Sequence, residues 1–272
     1  MMGSGIAAMA AGHGLPVLLV DLDQYVLTQT RSRIDQHLRH AQLLSALPAD
    51  RAPAAVRTTT SIHDTEGAIA VIEAITEQVD LKRLALTEVS QVIAPGTPLV
   101  SNTSGIPIDE LAEGLPRSAD LAGIHFMNPA YLINTVEVIQ GPRTAPEIMA
   151  AVMRLLEELD RRVIVVQDAP GFVTSRLLHP MLNDAARIVS AGIASVEATD
   201  LLMQDCLGHP TGPLRTADLI GLDNLADSLT ALYERTGEER FRPCELLLDK
   251  VEKGQLGRKS GQGFYKYGGD FS

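Results

Sequence analysis

The sequence predicts an α/β domain with a mainly parallel sheet, followed by an all-helical domain. Two observations carry this. Up to about residue 169, short aliphatic runs alternate with segments of helical periodicity. After Asp168-Ala169-Pro170-Gly171 no further convincing strand run occurs and helical spacing takes over. The domains are therefore read as residues 1–169 and 170–272.

Taken in order, a helix is expected to open the chain, after Gly3-Ser4-Gly5. Pro16-Val17-Leu18-Leu19-Val20 is the first apolar run and ends at Asp21. Ala68 to Ile72, Leu99-Val100, Ile124-His125-Phe126, Val136 to Ile139 and Val163 to Val166 complete the set. Runs of this kind read as strands buried on both faces of a sheet. Ile148, Val152, Leu155, Leu156 and Leu159 mark one face of a helix that starts near Thr144 and Pro146. In the second part, Leu177, Leu178, Met181, Leu182 and Ala185 have helical spacing, as do Leu219, Leu222, Leu225 and Leu229.

Composition narrows the function classes. With 23 Lys plus Arg against 34 Asp plus Glu, the net charge is −11, which disfavours a nucleic-acid partner. No apolar run approaches a membrane span, and no charged segment precedes the apolar start, so neither a membrane anchor nor a signal peptide is expected. Cys206 and Cys244 match no metal spacing and read as reduced thiols of a cytoplasmic protein. No metal is expected.

Asp21 ends the second strand position of what reads as a Rossmann-type fold, where a carboxylate accepts hydrogen bonds from the adenosine ribose. It would repel a 2′-phosphate, which favours NAD over NADP. Many strands end in Asp, so this position alone is a weak signal. Gly3 fits the third glycine of the G-x-G-x-x-G fingerprint, the one that lets helix and strand pack closely. The first strand and the first two glycines would then lie before residue 1. Either the natural protein starts upstream, or the chain is a fragment with a damaged nucleotide site. The apolar edges that a missing central strand would expose favour the former.

His125 and Glu137 lie in successive apolar runs whose connection is too short for a parallel crossover, so the two strands should pair antiparallel. A symmetric hairpin with its turn near Asn128-Pro129 would place His125 opposite Glu137. A carboxylate beside an imidazole orients the ring and stabilises its charged form, as a base that removes a hydroxyl proton requires. A core histidine satisfied by a structural glutamate fits the same spacing, although an ionised glutamate between Val136 and Val138 is costly to bury.

Several stretches carry a family likeness across nearly the whole chain. They are Met2 to Ala7, Ser101-Asn102-Thr103-Ser104, Gly123 to Pro129, Val136 to Ile139, Asp168 to Phe172, Gly208 to Pro213, Gly221-Leu222-Asp223 and Gly257 to Tyr265. In these motifs the chain resembles the 3-hydroxyacyl-CoA dehydrogenases, including the bacterial 3-hydroxybutyryl-CoA dehydrogenases. The resemblance implies an NAD-dependent enzyme with a helical domain that forms a homodimer, and a short 3-hydroxyacyl thioester as substrate. It implies that His125 and Glu137 are the catalytic pair and that the Ser104 hydroxyl reaches the substrate oxygen and the nicotinamide. It also implies that Gly3, Asp21, Glu77, Lys82, Asn128 and Lys259 lie around the cofactor.

Two departures from the family pattern stand out. Ser175 occupies the position of an asparagine expected to polarise the substrate oxygen, and its hydroxyl is shorter than that amide. The segment after Asp21 holds Arg31, Arg33, Arg39, Arg51 and Arg57 where the family often carries lysines for CoA phosphates. They read either as a solvated helix face or as a surface for an acidic acyl-carrier protein, as in the hydroxyacyl dehydrogenases of polyketide-type pathways. A non-catalytic protein like lambda-crystallin is a third reading, which the retained Ser104, His125 and Glu137 oppose.

Overall fold

The computed structural model describes residues 2–268. The chain divides into two compact units, Met1–Phe172 and Val173–Ser272.

The first unit is α/β, as expected. Helix α1 (Met2–Gly12) leads into β1 (Val17–Val20), then α2 (Gln24–Leu43) and β2 (Val56–Thr59). Asp23 caps α2, its carboxylate accepting the Tyr25 N–H at 2.7 Å. There follow β3 (Val71–Glu73), α3 (Val79–Val92), β4 (Leu99–Ser101), α4 (Ile108–Ala112) and β5 (Leu121–Phe126). The unit closes with β6 (Thr135–Gln140), α5 (Pro146–Glu158) and β7 (Arg162–Gln167). Strands β1 and β2 form one parallel pair, and β3-β4-β5-β6-β7 form a second sheet in that order. Every neighbouring pair is parallel except β5 and β6.

Three details differ from the sequence reading. Strand β2 was not expected, because Val56 is its only apolar residue; its pairing with β1 defines it. The run at 68–72 becomes a strand only from Val71, and Ile69 is 75% exposed. The register explains this, since Val71 to Glu73 match the three residues of β4. Strand β7 pairs only with β6 and so forms a sheet edge, leaving Ile164 and Val165 exposed where burial on both faces was expected.

Helix α5 packs as its spacing predicts. Ile148, Val152 and Leu156, with Leu159 beyond its end, are buried in one core with Ile124 and Phe126 of β5 and Val136 and Val138 of β6. Each such side chain contributes about 1.5–3 kcal/mol when fully buried. On the opposite face, a Cβ on Gly123 would lie 2.8 Å from Ile108 Cδ1 and 2.9 Å from Ile139 Cβ, so only glycine lets α4 approach β5 this closely.

Buried Arg161 ties the connection between β5 and β6 to the rest of the unit. Its guanidinium donates to the carbonyls of Leu159 (2.7 Å), Ala130 (3.3 Å) and Ile133 (3.3 Å), and lies 3.4 Å from His13 Nε2. His13 Nδ1 is 2.8 Å from the Met9 carbonyl. Nδ1 must therefore carry the proton, and Nε2 accepts from Arg161. Burial, aided by the Arg161 charge, pushes the His13 pKa below its ordinary value.

The second unit holds α6 (Thr174–Ser190), α7 (Val196–Leu207), α8 (Pro213–Ile220), α9 (Leu222–Thr236) and α10 (Glu245–Glu252). Among the described residues it contains no named strand. The spacing from Leu219 to Leu229 is not one helix. Gly221, at φ +99°, separates α8 from α9, so Leu219 is 64% exposed while Leu222, Leu225 and Leu229 are buried. Buried Asp218 accepts from the backbone N–H groups of Phe264 and Tyr265 and from the Tyr267 hydroxyl, which fastens the last described segment.

Stability is expected to decline as pH falls below the ordinary histidine value of about 6.5. In that window the unfolded chain takes a proton that folded His13 resists, so the unfolded state gains; above it the contribution is intact. Urea midpoints between about pH 7.5 and 5.5 test this. His13→Asn, which cannot titrate, should flatten the slope, and an unchanged slope would remove His13 as a cause.

Candidate active site

Strands β3, β4 and β5 share one polarity, which β6 and β7 reverse, and several polar residues singled out in the sequence follow the carboxyl ends of their own strands. That end of an open α/β sheet is where ligands bind. Asp21 follows β1, Glu77 follows β3, and Ser104 follows β4. His125 is the penultimate residue of β5.

Strands β5 and β6 pair antiparallel with His125 directly opposite Glu137, as the short connection required. His125 Nδ1 lies 2.9 Å from Glu137 Oε2, and the two residues are 7% and 5% exposed. The carboxylate assigns the proton to Nδ1, so Nε2 carries the lone pair that can take up a proton. The Phe172 ring lies 6.2 Å from the imidazole, tilted by 56°. Phe172 reaches that place from a turn in which Gly171 and Phe172 both have positive φ.

The same turn meets the loop after β4. The Gly171 N–H donates to the Gly105 carbonyl at 2.9 Å, and a Cβ on Gly105 would lie 3.2 Å from Gly171 Cα. On the other side, the Asn102 side-chain carbonyl accepts the buried Phe126 N–H at 3.0 Å. Asn102 thus joins the Ser104 loop to the strand that bears His125.

Glu77 reaches this loop too. Its Oε1 accepts from the Thr103 hydroxyl at 2.5 Å and from the Ser104 N–H at 2.7 Å. Lys82 Nζ lies 3.2 Å from Glu77 Oε2 and 2.7 Å from Glu73 Oε1. Lys82 is 0% exposed. Glu73 and Asn102 were not anticipated as part of a functional network. The legible signal for Glu73 was an acidic residue closing the apolar run Ala70-Val71-Ile72.

The remaining positions are more scattered. Asp21 is half-buried, and its Oδ1 accepts the Asp23 N–H at 3.0 Å. The carboxylate keeps further acceptor capacity, which suits a ribose diol and not a phosphate. Gly3 lies in the first turn of α1, and a Cβ there would meet Leu19 and Ala74 at 4.0 Å, an ordinary contact. Those two neighbours therefore do not demand a glycine, unlike the close packing expected of the third fingerprint position. Asn128 is exposed after β5, before the cis Asn128-Pro129 bond.

Ser175 and Lys259 belong to the second unit. Ser175 is buried in the first turn of α6. The Lys259 ammonium donates to Asp223 Oδ2 at 2.6 Å. Burial alone would raise the Asp223 carboxyl, but the Lys259 hydrogen bond and charge outweigh it and hold the pKa below the ordinary value.

The fold has counterparts among known proteins. The model of the 3-hydroxyacyl-CoA dehydrogenase NAD binding domain matches residues 1–169, and that of the C-terminal domain matches residues 171–267. The probable 3-hydroxybutyryl-CoA dehydrogenase of Deinococcus radiodurans is 39% identical over 98% of this chain and 96% of its own. The 3-hydroxybutyryl-CoA dehydrogenase of Bradyrhizobium diazoefficiens is 35% identical over 98% and 92%. The crystal structure of the (S)-3-hydroxybutyryl-CoA dehydrogenase of Ralstonia eutropha superposes with a TM-score of 0.90 at 36% identity, over 98% of this chain and 96% of that one.

Asn102→Ala is expected to cost about 1–3 kcal/mol, because it leaves the buried Phe126 N–H without its acceptor. Equilibrium denaturation measures this, and a loss below about 0.5 kcal/mol would show that the bond does not hold the loop to β5.

Proposed function

The chain belongs to the 3-hydroxyacyl-CoA dehydrogenase family and is an NAD-dependent enzyme that interconverts a 3-hydroxyacyl thioester and its 3-keto form; from that premise we propose how its residues divide the work. The observation that carries the proposal is the buried hydrogen bond between His125 Nδ1 and Glu137 Oε2. His125 is the general base: the proton leaving the 3-hydroxyl goes to Nε2. Glu137 holds the ring in the required tautomer and stabilises the imidazolium that forms. The Ser104 hydroxyl donates to the substrate oxygen.

NAD, when bound, supplies the acceptor for the C3 hydride. Asp21 is suited to its ribose hydroxyls and, by repulsion, rejects a 2′-phosphate. Glu77 and Asn128 follow the carboxyl ends of β3 and β5, Gly3 lies in the first turn of α1, and all three are assigned to the cofactor. Ser175 and Lys259 are assigned from the family positions they occupy, one to the substrate oxygen and one to the cofactor. The division at 169/170 separates the NAD-binding domain from the helical domain that binds substrate and forms the dimer.

The substrate is a short acyl group on CoA, as the names of the relatives indicate for those proteins. Following NADH absorbance with acetoacetyl-CoA at neutral pH tests this. Turnover is expected, with kcat falling about 10²–10⁴-fold in His125→Ala and less in Glu137→Gln, which keeps the geometry but not the charge. Full activity in His125→Ala would refute the assignment. Turnover only with an acetoacetyl-carrier protein would move the substrate from CoA to a carrier.

A homodimer is supported by apolar side chains exposed on the helical unit: Leu177 on α6, Leu201 and Leu202 on α7, and Leu219 on α8. Sedimentation should report twice the 29.2 kDa chain mass. A monomer at micromolar concentration would reject this assembly.

A further inference from the structure

We propose that Asp168 is a positioning residue that sets the reach of the Ser104 hydroxyl by holding the turn 168–172 against the loop after β4; the inference rests on the dehydrogenase reading above. Helix α4 starts after Pro107, whose side chain has no oxygen to cap it. The carboxylate comes instead from the end of β7. Asp168 Oδ1 accepts the Ile108 N–H at 2.8 Å, and Oδ2 accepts the Asp109 N–H at 2.7 Å. Each oxygen meets its own N–H, so the carboxylate is held in one orientation.

The start of α4 is a firm point to hang from. Ile108 is buried and meets two glycines. A Cβ on Gly123 would lie 2.8 Å from Ile108 Cδ1, and one on Gly141 would lie 2.9 Å from Ile108 Cγ2. A side chain enclosed this closely does not shift without strain. Gly123 belongs to β5, the strand that carries His125. Asp168 therefore ties the turn to a point fixed against the strand of the base.

The turn meets the loop a second time at Gly105, the residue after Ser104. The Gly171 N–H donates to the Gly105 carbonyl at 2.9 Å, and the two backbones approach too closely for a Cβ on Gly105 to fit without displacement. Gly171 has φ +73° and Phe172 φ +48°, a conformation that a phenylalanine keeps only when its surroundings impose it. Asp168 imposes it from one end. Phe172 imposes it from the other, buried in one core with Ile106, Ile108 and Leu111. Residues 105–109 are thus bracketed by the turn, while the Ser104 N–H is held from the opposite side by Glu77. If the turn moves, Gly105 moves, and the Ser104 hydroxyl moves with it. A misplacement of about 1 Å at a reacting group can cost about a hundredfold in rate.

The test uses the full chain with Asp168→Asn, Ser104→Ala and the two combined. An amide offers one acceptor oxygen and turns its NH2 toward the second N–H, so one of the two bonds becomes a repulsion. Asp168→Asn is expected to lower kcat about tenfold while the Kd for NADH stays within about threefold. In the Ser104→Ala background the same substitution should lower kcat by less than about twofold, because the group that it misplaces is already gone. An equal factor in both backgrounds would mean that Asp168 acts elsewhere, and the proposal would fall. Asp168→Glu separates position from charge, since both acceptor oxygens remain but stand one methylene further out. Its kcat is expected to fall as well, and full activity would reduce Asp168 to a cap on α4. If Asp168→Asn does not fold, Asp168→Glu is read in the same two backgrounds. Hydrogen exchange of the peptide covering residues 104–109 should quicken about tenfold in Asp168→Asn. If the wild type turns over no thioester, the dehydrogenase reading has failed, and the exchange rate still decides whether Asp168 holds the loop; unchanged exchange would show that it does not.

Discussion

A carboxylate facing an imidazole inside a sheet is the constraint from which the rest of the site follows. Glu137 is flanked by the fully buried Val136 and Val138, where an ionised group is costly without a partner. The antiparallel pairing of β5 with β6 brings it His125, and that pairing interrupts an otherwise parallel sheet. The sheet accepts the reversal because the connection between the strands is held on its own account. Arg161 binds the Ala130 and Ile133 carbonyls within it. The position of His125 is thus set by charge satisfaction on one side and by a buried guanidinium on the other.

A second layer of polar contacts brings the loop after β4 to that pair. Asn102 takes the Phe126 N–H, Gly105 receives the Gly171 N–H, and Glu77 holds Thr103 and Ser104. These bonds come from the segment after β3, from β5 and from the turn after β7, so three parts of the chain converge on one loop. Reacting groups carried on loops keep their geometry only when such bonds replace the rigidity of a strand. The buried Glu73 and Lys82 do this for Glu77, and their burial is reasonable only because their charges meet.

The departures from the family pattern have unequal physical weight. Ser175, buried in the first turn of α6, carries a hydroxyl where the resemblance leads one to expect a longer amide. The arginines after Asp21 are more mixed. Arg31 donates to Thr58 at 3.1 Å and Arg51 to the His13 carbonyl at 3.4 Å, so both serve the packing of α1, α2 and β2 as well as surface charge.

Much of this architecture was legible because it depends on neighbours in the chain. Apolar runs alternating with helical spacing marked the α/β unit, and the shortness of the 127–134 connection dictated the hairpin that pairs His125 with Glu137. The remainder depends on groups distant in sequence. Strand β2 carries almost no apolar signal and exists through its ladder with β1. The helical spacing that runs through Leu219 and Leu222 hides the break at Gly221, which a backbone dihedral reveals. The resemblance singled out Lys82 as a position around the cofactor, but only the tertiary structure surrounds it with Glu73, Glu77 and the Ile75 carbonyl. The sequence by itself determined which residue types were on hand for proton transfer and which strands would carry them. Packing decided which charges are buried, because desolvation depends on everything that surrounds a group and not on the few residues beside it in the chain.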